Sequence, residues 1–366
     1  MKNEDQKFTK FLCNNKLTIK NFGPIKEVNI ELKELNIFIG PQASGKSTIA
    51  KLIHFFQYIT SDSPFLNIDY KSLLSIFNKL FGELYLLNSP NAEIEYIYNS
   101  GNKITFKNNK LEFDKLSKRD HKTILIPAGR AVYSLISDSL FSLSSEAVNI
   151  DPIILNFGRQ IELSRKRLGF STELESMFQK ILNGKFKYIN GENRIYFKTD
   201  KYITLDRASS GQQEVLPLIL ILKDVLSSQE LTEITVEEPE AHLYPYSQYK
   251  LIELISWIYN SHQNKNKFII TTHSPYILSS FNNLLFAHKV ANLAESTKCK
   301  VKELIPETCW IAPDKIAAYS VNEGTIDSII NSSTGLIADN EIDDASEDIA
   351  GYFDELLEIY REFKHG

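Results

Sequence analysis

Nine consecutive residues, Gly40-Pro41-Gln42-Ala43-Ser44-Gly45-Lys46-Ser47-Thr48, constrain this chain more than any other stretch. They fit the pattern Gly, four residues, then Gly-Lys-Ser/Thr, which average composition produces by chance in roughly one chain in a hundred of this length. An apolar run (Leu35, Ile37, Phe38, Ile39) precedes them, and apolar residues at helical spacing (Ile49, Leu52, Ile53, Phe56) follow. Strand, loop, helix is the context a phosphate-binding loop requires. Its glycines let backbone N–H groups converge on phosphate oxygens. Lys46 brings a positive charge to the β and γ phosphates, and Ser47 offers its hydroxyl to Mg²⁺. The dipole of the helix that opens there adds to the attraction for an anion.

At 366 residues the chain exceeds the usual size of one core, so one large α/β domain with an inserted or appended lobe is expected. Cys13, Cys299 and Cys309 are odd in number and lack a Cys-x-x-Cys spacing, which points to reduced thiols rather than a disulfide framework or a zinc site. The N-terminal residues have no apolar signal region, and the densest apolar run, Val215 to Leu222, is too short to span a bilayer. The expected location is the cytoplasm, with no membrane partner. Net charge is −5, but residues 339–366 hold ten acids against Arg361 and Lys364, so the rest of the chain is net +3. The densest basic cluster, Arg165-Lys166-Arg167, reads as a solvated helix face rather than the stripe of a dedicated nucleic-acid binder.

Alternation from Leu17 to Ile39, broken at Asn21-Phe22-Gly23-Pro24, predicts two or three strands leading into the phosphate loop. A helix is expected near Tyr70 to Leu87, then a β-meander over Ala92 to Tyr98, Lys103 to Phe106 and Lys110 to Phe113. Ile124 to Ile126 reads as a short buried strand ending in Pro127-Ala128-Gly129-Arg130. Residues 131–182 are mostly helical in pattern, and a small hairpin (Phe186 to Tyr188, Arg194 to Phe197, Tyr202 to Leu205) returns the chain to the core. Four parts follow: 1–130 and 207–290 as the two halves of a nucleotide-binding core, 131–206 as an inserted helical lobe, and 291–366 as a C-terminal extension. In the acidic tail, the spacing of Ile349, Phe353, Leu356, Leu357, Tyr360 and Phe363 predicts an amphipathic helix packed on the core or on a partner.

Three further segments carry chemistry. Ser209-Ser210-Gly211-Gln212 heads an apolar helix, either as a simple N-cap or with its open N–H groups directed at an anion. The buried strand Ile234-Thr235-Val236 ends in Glu237 and Glu238, suited to a Mg²⁺-water ligand followed by a carboxylate that activates the attacking water. A second strand, Phe268-Ile269-Ile270, ends in Thr271-Thr272-His273, where an imidazole is placed to sense the γ phosphate.

With these motifs in chain order, the sequence resembles ABC-type ATPases of the SMC/RecF/OLD group, and most of all the stand-alone AAA-family ATPases of bacterial anti-phage and abortive-infection loci. The resemblance implies an α/β ABC-ATPase (P-loop NTPase) head with an antiparallel β flank and an inserted helical lobe, using ATP and Mg²⁺. It also implies a homodimer, or a higher homo-oligomer, in which Ser209 and Gly211 act as a signature reaching across to the other subunit. Glu238 would be the catalytic base, Glu237 and Ser47 the metal ligands and His273 the switch histidine. The function expected is that of an ATP-driven sensor or regulatory scaffold in bacterial defence that controls a separately encoded effector, a nuclease or toxin; DNA binding in the manner of RecF is the alternative. The signature reads Ala-Ser-Ser-Gly-Gln rather than Leu-Ser-Gly-Gly-Gln, Glu237 stands where Asp is usual, Tyr244 falls near the D-loop aspartate position, and Arg130 lies where a Q-loop glutamine is expected. Asp339, Glu341, Asp343 and Asp344 lack the strand pattern of the Toprim domain that OLD nucleases carry, so no nuclease is expected.

Overall fold

The computed structural model describes residues 15–61, 70–82, 85, 88–99, 101–108, 110–113, 119–136, 152–166, 171–228, 230–261, 266–338, 351–352, 356–357 and 361. Alternating burial makes β1 (Lys16–Phe22) and β2 (Ile25–Glu31) an antiparallel pair, after which the wholly buried β3 (Leu35–Ile39) runs to the phosphate loop. Helix α1 (Lys46–Thr60) follows, then α2 (Tyr70–Phe81) and the meander β4 (Glu93–Tyr98), β5 (Asn102–Lys107) and β6 (Lys110–Phe113). The meander does not stand alone. β4 pairs with β1, giving one five-stranded antiparallel sheet in the order β2-β1-β4-β5-β6.

The chain then forms β7 (Lys122–Ile126), the helices α3 (Ala131–Ile136), α4 (Pro152–Lys166) and α5 (Thr172–Leu182), and a three-stranded sheet of β8 (Lys185–Ile189), β9 (Glu192–Lys198) and β10 (Lys201–Thr204). Next come α6 (Ser210–Ser227), β11 (Thr232–Glu237), α7 (Pro245–Asn260), β12 (Lys267–Thr272), α8 (Pro275–Ala291) and α9 (Glu295–Leu304). Within the stretch expected as a C-terminal extension, β13 (Ile316–Asn322) and β14 (Thr325–Ser328) complete the central sheet in the order β14-β13-β3-β12-β11-β7. All neighbours in it are parallel except β13 and β14, which are joined through Glu323 (φ 46) and Gly324 (φ 80). Positive φ at both central residues is what a two-residue hairpin turn demands.

Buried parallel strands read as continuous apolar runs, and their side chains still alternate between two cores. Leu35, Ile37 and Ile39 of β3 join the core that holds α6, α7 and α8, while Phe38 points into the core shared by α1 and the antiparallel sheet. β12 divides likewise, with Phe268 and Ile270 on one side and Ile269 on the other. Helix α1 therefore lies between two sheets, which explains why its buried residues (Ile49, Leu52, Phe55, Phe56 among them) occupy more than one stripe.

At the amino ends of the strands, opposite the phosphate loop, lies a buried charge cluster. Glu233 of β11 has no exposed side-chain surface and takes both terminal nitrogens of Arg119 (3.1 and 3.2 Å), Lys267 Nζ at 3.2 Å and His121 Nε2 at 3.3 Å. Burial pushes its carboxyl up, but Lys267, Arg119 and His121 together hold it well below the usual carboxylate range. Arg119 also meets α1, donating from its backbone N–H to Thr60 O at 2.9 Å.

Among the expected features, the packing of Ile349, Phe353, Tyr360 and Phe363 lies outside the described residues, as do Cys13, Arg167 and the four acids from Asp339 to Asp344. Tyr352 and Leu356 of the tail are exposed. Arg165 is no solvated face residue: it pairs with Glu162 and lies over the ring of Tyr188. Among the described residues, no helix is long and apolar enough to cross a membrane.

Candidate nucleotide site

Strand register brings the site together. Ile39 of β3 stands beside Thr272 of β12, and Thr271 of β12 beside Glu237 of β11. The phosphate loop, the two acids and His273 thus leave three adjacent parallel strands at their carboxyl edge, where open α/β sheets bind ligands.

The loop is shaped by left-handed backbone at Gly40 (φ 152), Ala43 (φ 62) and Gly45 (φ 108). Lys46 is buried and donates from Nζ to the carbonyls of Gly40 (2.8 Å) and Pro41 (2.6 Å). Burial lowers the pKa of its ammonium, against the pull of Glu238 and Glu240. Pro41, Gln42 and Ala43 are exposed, Ser47 is half-buried, and Ser44 is buried with its hydroxyl unpartnered among the described residues. Thr48 Oγ1 lies 2.8 Å from the Tyr85 hydroxyl, beside a cavity of about 650 Å³ lined by Pro24, Phe81, Tyr85 and Asn88.

Glu237 is buried at the end of β11. Its Oε2 accepts the Ala128 N–H at 3.4 Å and its Oε1 has no partner among the described residues. Glu238 follows in left-handed backbone (φ 44), its N–H held by the Thr271 carbonyl at 2.9 Å and its carboxylate half-buried. His273 Nδ1 lies 3.9 Å from Glu238 Oε1 and 3.4 Å from Glu240 Oε1. Sequence reasoning passed over Glu240, although Glu-Pro-Glu sets a third acid two residues after Glu238. It is buried, accepts from Thr272 Oγ1 (2.7 Å) and from the His273 N–H (2.8 Å), and leaves Oε2 unpartnered.

Unpartnered oxygens on Ser44, Glu237 and Glu240, buried beside a lysine, are what a Mg²⁺–nucleotide site needs, since buried polar atoms without partners are costly. The residues fit the group. Ser47 and Glu237 would hold Mg²⁺, which neutralises charge building on the phosphates, and Lys46 with the loop N–H groups would hold the phosphates themselves.

Arg130 packs against the main chain of the two strand-end acids. Its side chain is fully buried, and it donates from Nη1 to the carbonyls of Pro127 (2.9 Å) and Glu237 (2.7 Å), from Nη2 to Glu238 O (3.0 Å) and from Nε to Glu214 O (3.0 Å). Burial lowers the guanidinium pKa, with Glu214, Glu240, Glu237 and Glu238 opposing.

Ser209 takes the N-cap position of α6. Its hydroxyl accepts the Gln212 N–H at 3.4 Å while Gln212 Oε1 accepts the Ser209 N–H at 3.2 Å, a reciprocal capping box. Gln212 Nε2 also donates to Leu182 O at 2.8 Å, and Ser210 is exposed in the first turn. A Cβ on Gly211 would stand 2.6 Å from the His242 carbonyl oxygen, so glycine permits α6 to close on the loop that follows Glu238.

A glycine-rich loop between a buried parallel strand and a helix, with a lysine and strand-end acids beside it, defines a P-loop nucleoside-triphosphatase on an α/β fold. The family model described as an AAA ATPase domain matches residues 15–138 and 134–278, well over half of the chain, and the chain belongs to that family of ATPases. No curated protein matches it. Among solved structures it is similar to the SMC head domain from Thermotoga maritima, with 12% identity over 86% of this chain and 97% of that one at a TM-score of 0.42. It is also similar to the recombination mediator protein RecF of the RecFOR pathway, with 11% identity over 87% and 99% of the two chains at a TM-score of 0.40.

Proposed function

We propose that the protein is a Mg²⁺-dependent ATPase that acts as a sensor or regulatory scaffold in bacterial anti-phage defence, closing as an ATP-bound homodimer to hold or release a separately encoded effector. The observation that carries the chemistry is the meeting of Lys46, Glu237, Glu238 and His273 at one sheet edge. Lys46 binds the phosphates, Glu238 accepts the proton of the attacking water, and His273 reads the γ phosphate. Tyr85, whose hydroxyl lies 2.8 Å from Thr48 Oγ1 and whose side chain lines the adjoining cavity, would hold the nucleoside. Tyr244, Tyr246 and Tyr276 are exposed at the starts of α7 and α8, directly after the two site loops, and this aromatic rim supports a face covered by a second copy. The defence role rests on the sequence resemblance.

The test is complementation. In a composite site, Lys46 comes from one subunit and Ser209 from the other, so Lys46→Ala and Ser209→Arg are each inactive. Mixed dimers contain one intact site, and about a quarter of wild-type turnover returns if the sites are independent. No recovery, once subunit exchange is demonstrated by mass measurement and both variants are folded, argues against independent composite sites. For the defence role, phage plating on cells carrying the gene with its neighbours should rise when Lys46→Ala replaces the wild type.

One observation favours the RecF-like reading, an ATPase clamp on DNA. The outer face of the β8-β9-β10 sheet carries Lys185, Lys187, Arg194 and Lys198 with Tyr196 and Tyr202, and Lys187 and Arg194 lie over those two rings at 4.9 and 4.4 Å. Cations interleaved with aromatics suit a phosphodiester backbone and its bases. Duplex binding that weakens steeply with salt and fails in Lys187→Glu would favour the clamp over the scaffold.

A further inference from the structure

We infer that Arg130 is the positioning residue for Glu238, and that through Glu214 it ties the orientation of that acid to helix α6. The inference rests on the reading of Glu238 as the base.

The local chain explains why an arginine is needed. The ladder between β7 and β11 ends at Ile126 and Val236, and beyond it the Ala128 N–H turns to the Glu237 carboxylate at 3.4 Å rather than to the Glu237 carbonyl. The carbonyl of Glu237 takes Arg130 Nη1 instead, and the carbonyl of Glu238 takes Nη2. Glu238 sits in left-handed backbone that a side chain of its size rarely adopts. Such a conformation persists only when its surroundings over-determine it. Here the N–H of Glu238 is fixed by Thr271, and its carbonyl by Arg130 and by the Ala241 N–H at 3.1 Å.

The other end of the guanidinium reaches α6. Glu214 lies in the second turn after Ser209; its main-chain oxygen accepts from Arg130 Nε, and its carboxylate accepts the N–H groups of Arg130 (2.9 Å) and Ala131 (3.1 Å). Glu214 is itself buried, so the connection has no slack of the kind an exposed ion pair would have. A displacement of α6, whose first residues include the proposed signature, therefore moves the guanidinium, and the guanidinium moves the peptide that carries Glu238. Lysine cannot substitute: its donors radiate from one atom, whereas the planar fork reaches separate carbonyls at once.

The test uses the full chain. Purified Arg130→Lys, shown by circular dichroism to be folded at the assay temperature, should lose about 100-fold in kcat while ATP affinity measured by calorimetry stays within threefold. Glu214→Gln, which keeps the main-chain acceptor and weakens the side-chain one, should lose about tenfold and serves if Arg130→Lys does not fold. In a Glu238→Gln background, adding either substitution should cost no further turnover, because a misplaced acid and an absent one are equivalent. A purely structural role would instead lower stability and ATP affinity together, leave kcat per bound site unchanged and reduce turnover multiplicatively in the double variant. Either of the last two results overturns the proposal. Wild-type kcat in Arg130→Lys and Glu214→Gln, with Glu238→Gln inactive, overturns it alone; wild-type kcat in Glu238→Gln removes the base assignment and the proposal with it.

Discussion

The main-chain oxygen of Val321 occupies the space that a side chain on Gly40 would need. Gly40 opens the phosphate loop and Val321 lies near the end of β13, so the C-terminal segment forms one wall of the loop's first residue. Gly40→Ala should distort the loop, since the obstructing atom is backbone and φ 152 is itself unfavourable for an L side chain. At least a tenfold loss of ATP affinity by calorimetry is expected; unchanged affinity would mean that β13 yields.

Removing the site's own lysine is a harsher change. Lys46→Ala leaves the phosphate charge to backbone N–H groups and Mg²⁺, and nucleotide binding should fall below detection by the same calorimetric measurement. Affinity equal to that of wild type would sink the phosphate-loop assignment.

Glu238→Gln separates binding from chemistry. The amide nearly matches the acid in shape but accepts no proton, so ATP should bind normally while turnover falls by roughly 10²- to 10⁴-fold. Single-turnover phosphate release is the decisive measurement, and a wild-type rate there would exclude Glu238 as the base.

The buried cluster around Glu233 bears on stability rather than turnover. Arg119→Met removes the bidentate partner of a carboxylate with no exposed side-chain surface, and urea unfolding should register a loss of about 3 kcal/mol. The double variant Arg119→Met/Glu233→Leu should lose less than Arg119→Met alone, because no uncompensated charge is left inside. A greater loss in the double variant would contradict this account.

His54 makes stability depend on pH. Burial lowers its imidazole from 6.5 to about 4, despite the nearby Glu233 carboxylate, and its Nδ1 has no partner among the described residues. Between those two values the unfolded chain binds a proton that the folded chain refuses. The contribution is therefore full above pH 6.5 and is lost as pH falls toward 4. Relative to His54→Gln, the wild type should lose about 2 kcal/mol between pH 7.5 and pH 5 in urea titrations. Parallel curves for the two proteins would refute it.

What could be read in the amino acids alone was whatever short-range chemistry dictates. The phosphate loop needs glycines, a lysine and a serine within nine residues, and the strand-end acids and His273 follow apolar runs that have no use but a buried strand. The meander and the Ser209 cap are equally local. What needed the fold was every partner brought from far along the chain. Arg130 is one arginine among several until Glu214 and the carbonyls of Glu237 and Glu238 surround it. Glu240 is a loop acid until Thr272 and the His273 N–H donate to it. Strand Ile316–Asn322 is a short run whose partner, β3, lies nearly the whole chain away; pairing at that distance depends on which hydrophobic faces remain to be covered once the rest has packed. Local propensity acts over a few residues, whereas burial and hydrogen-bond satisfaction act over whatever the packed chain makes adjacent, so the motif was legible in the sequence and the framework that orients it was decided only by the tertiary structure.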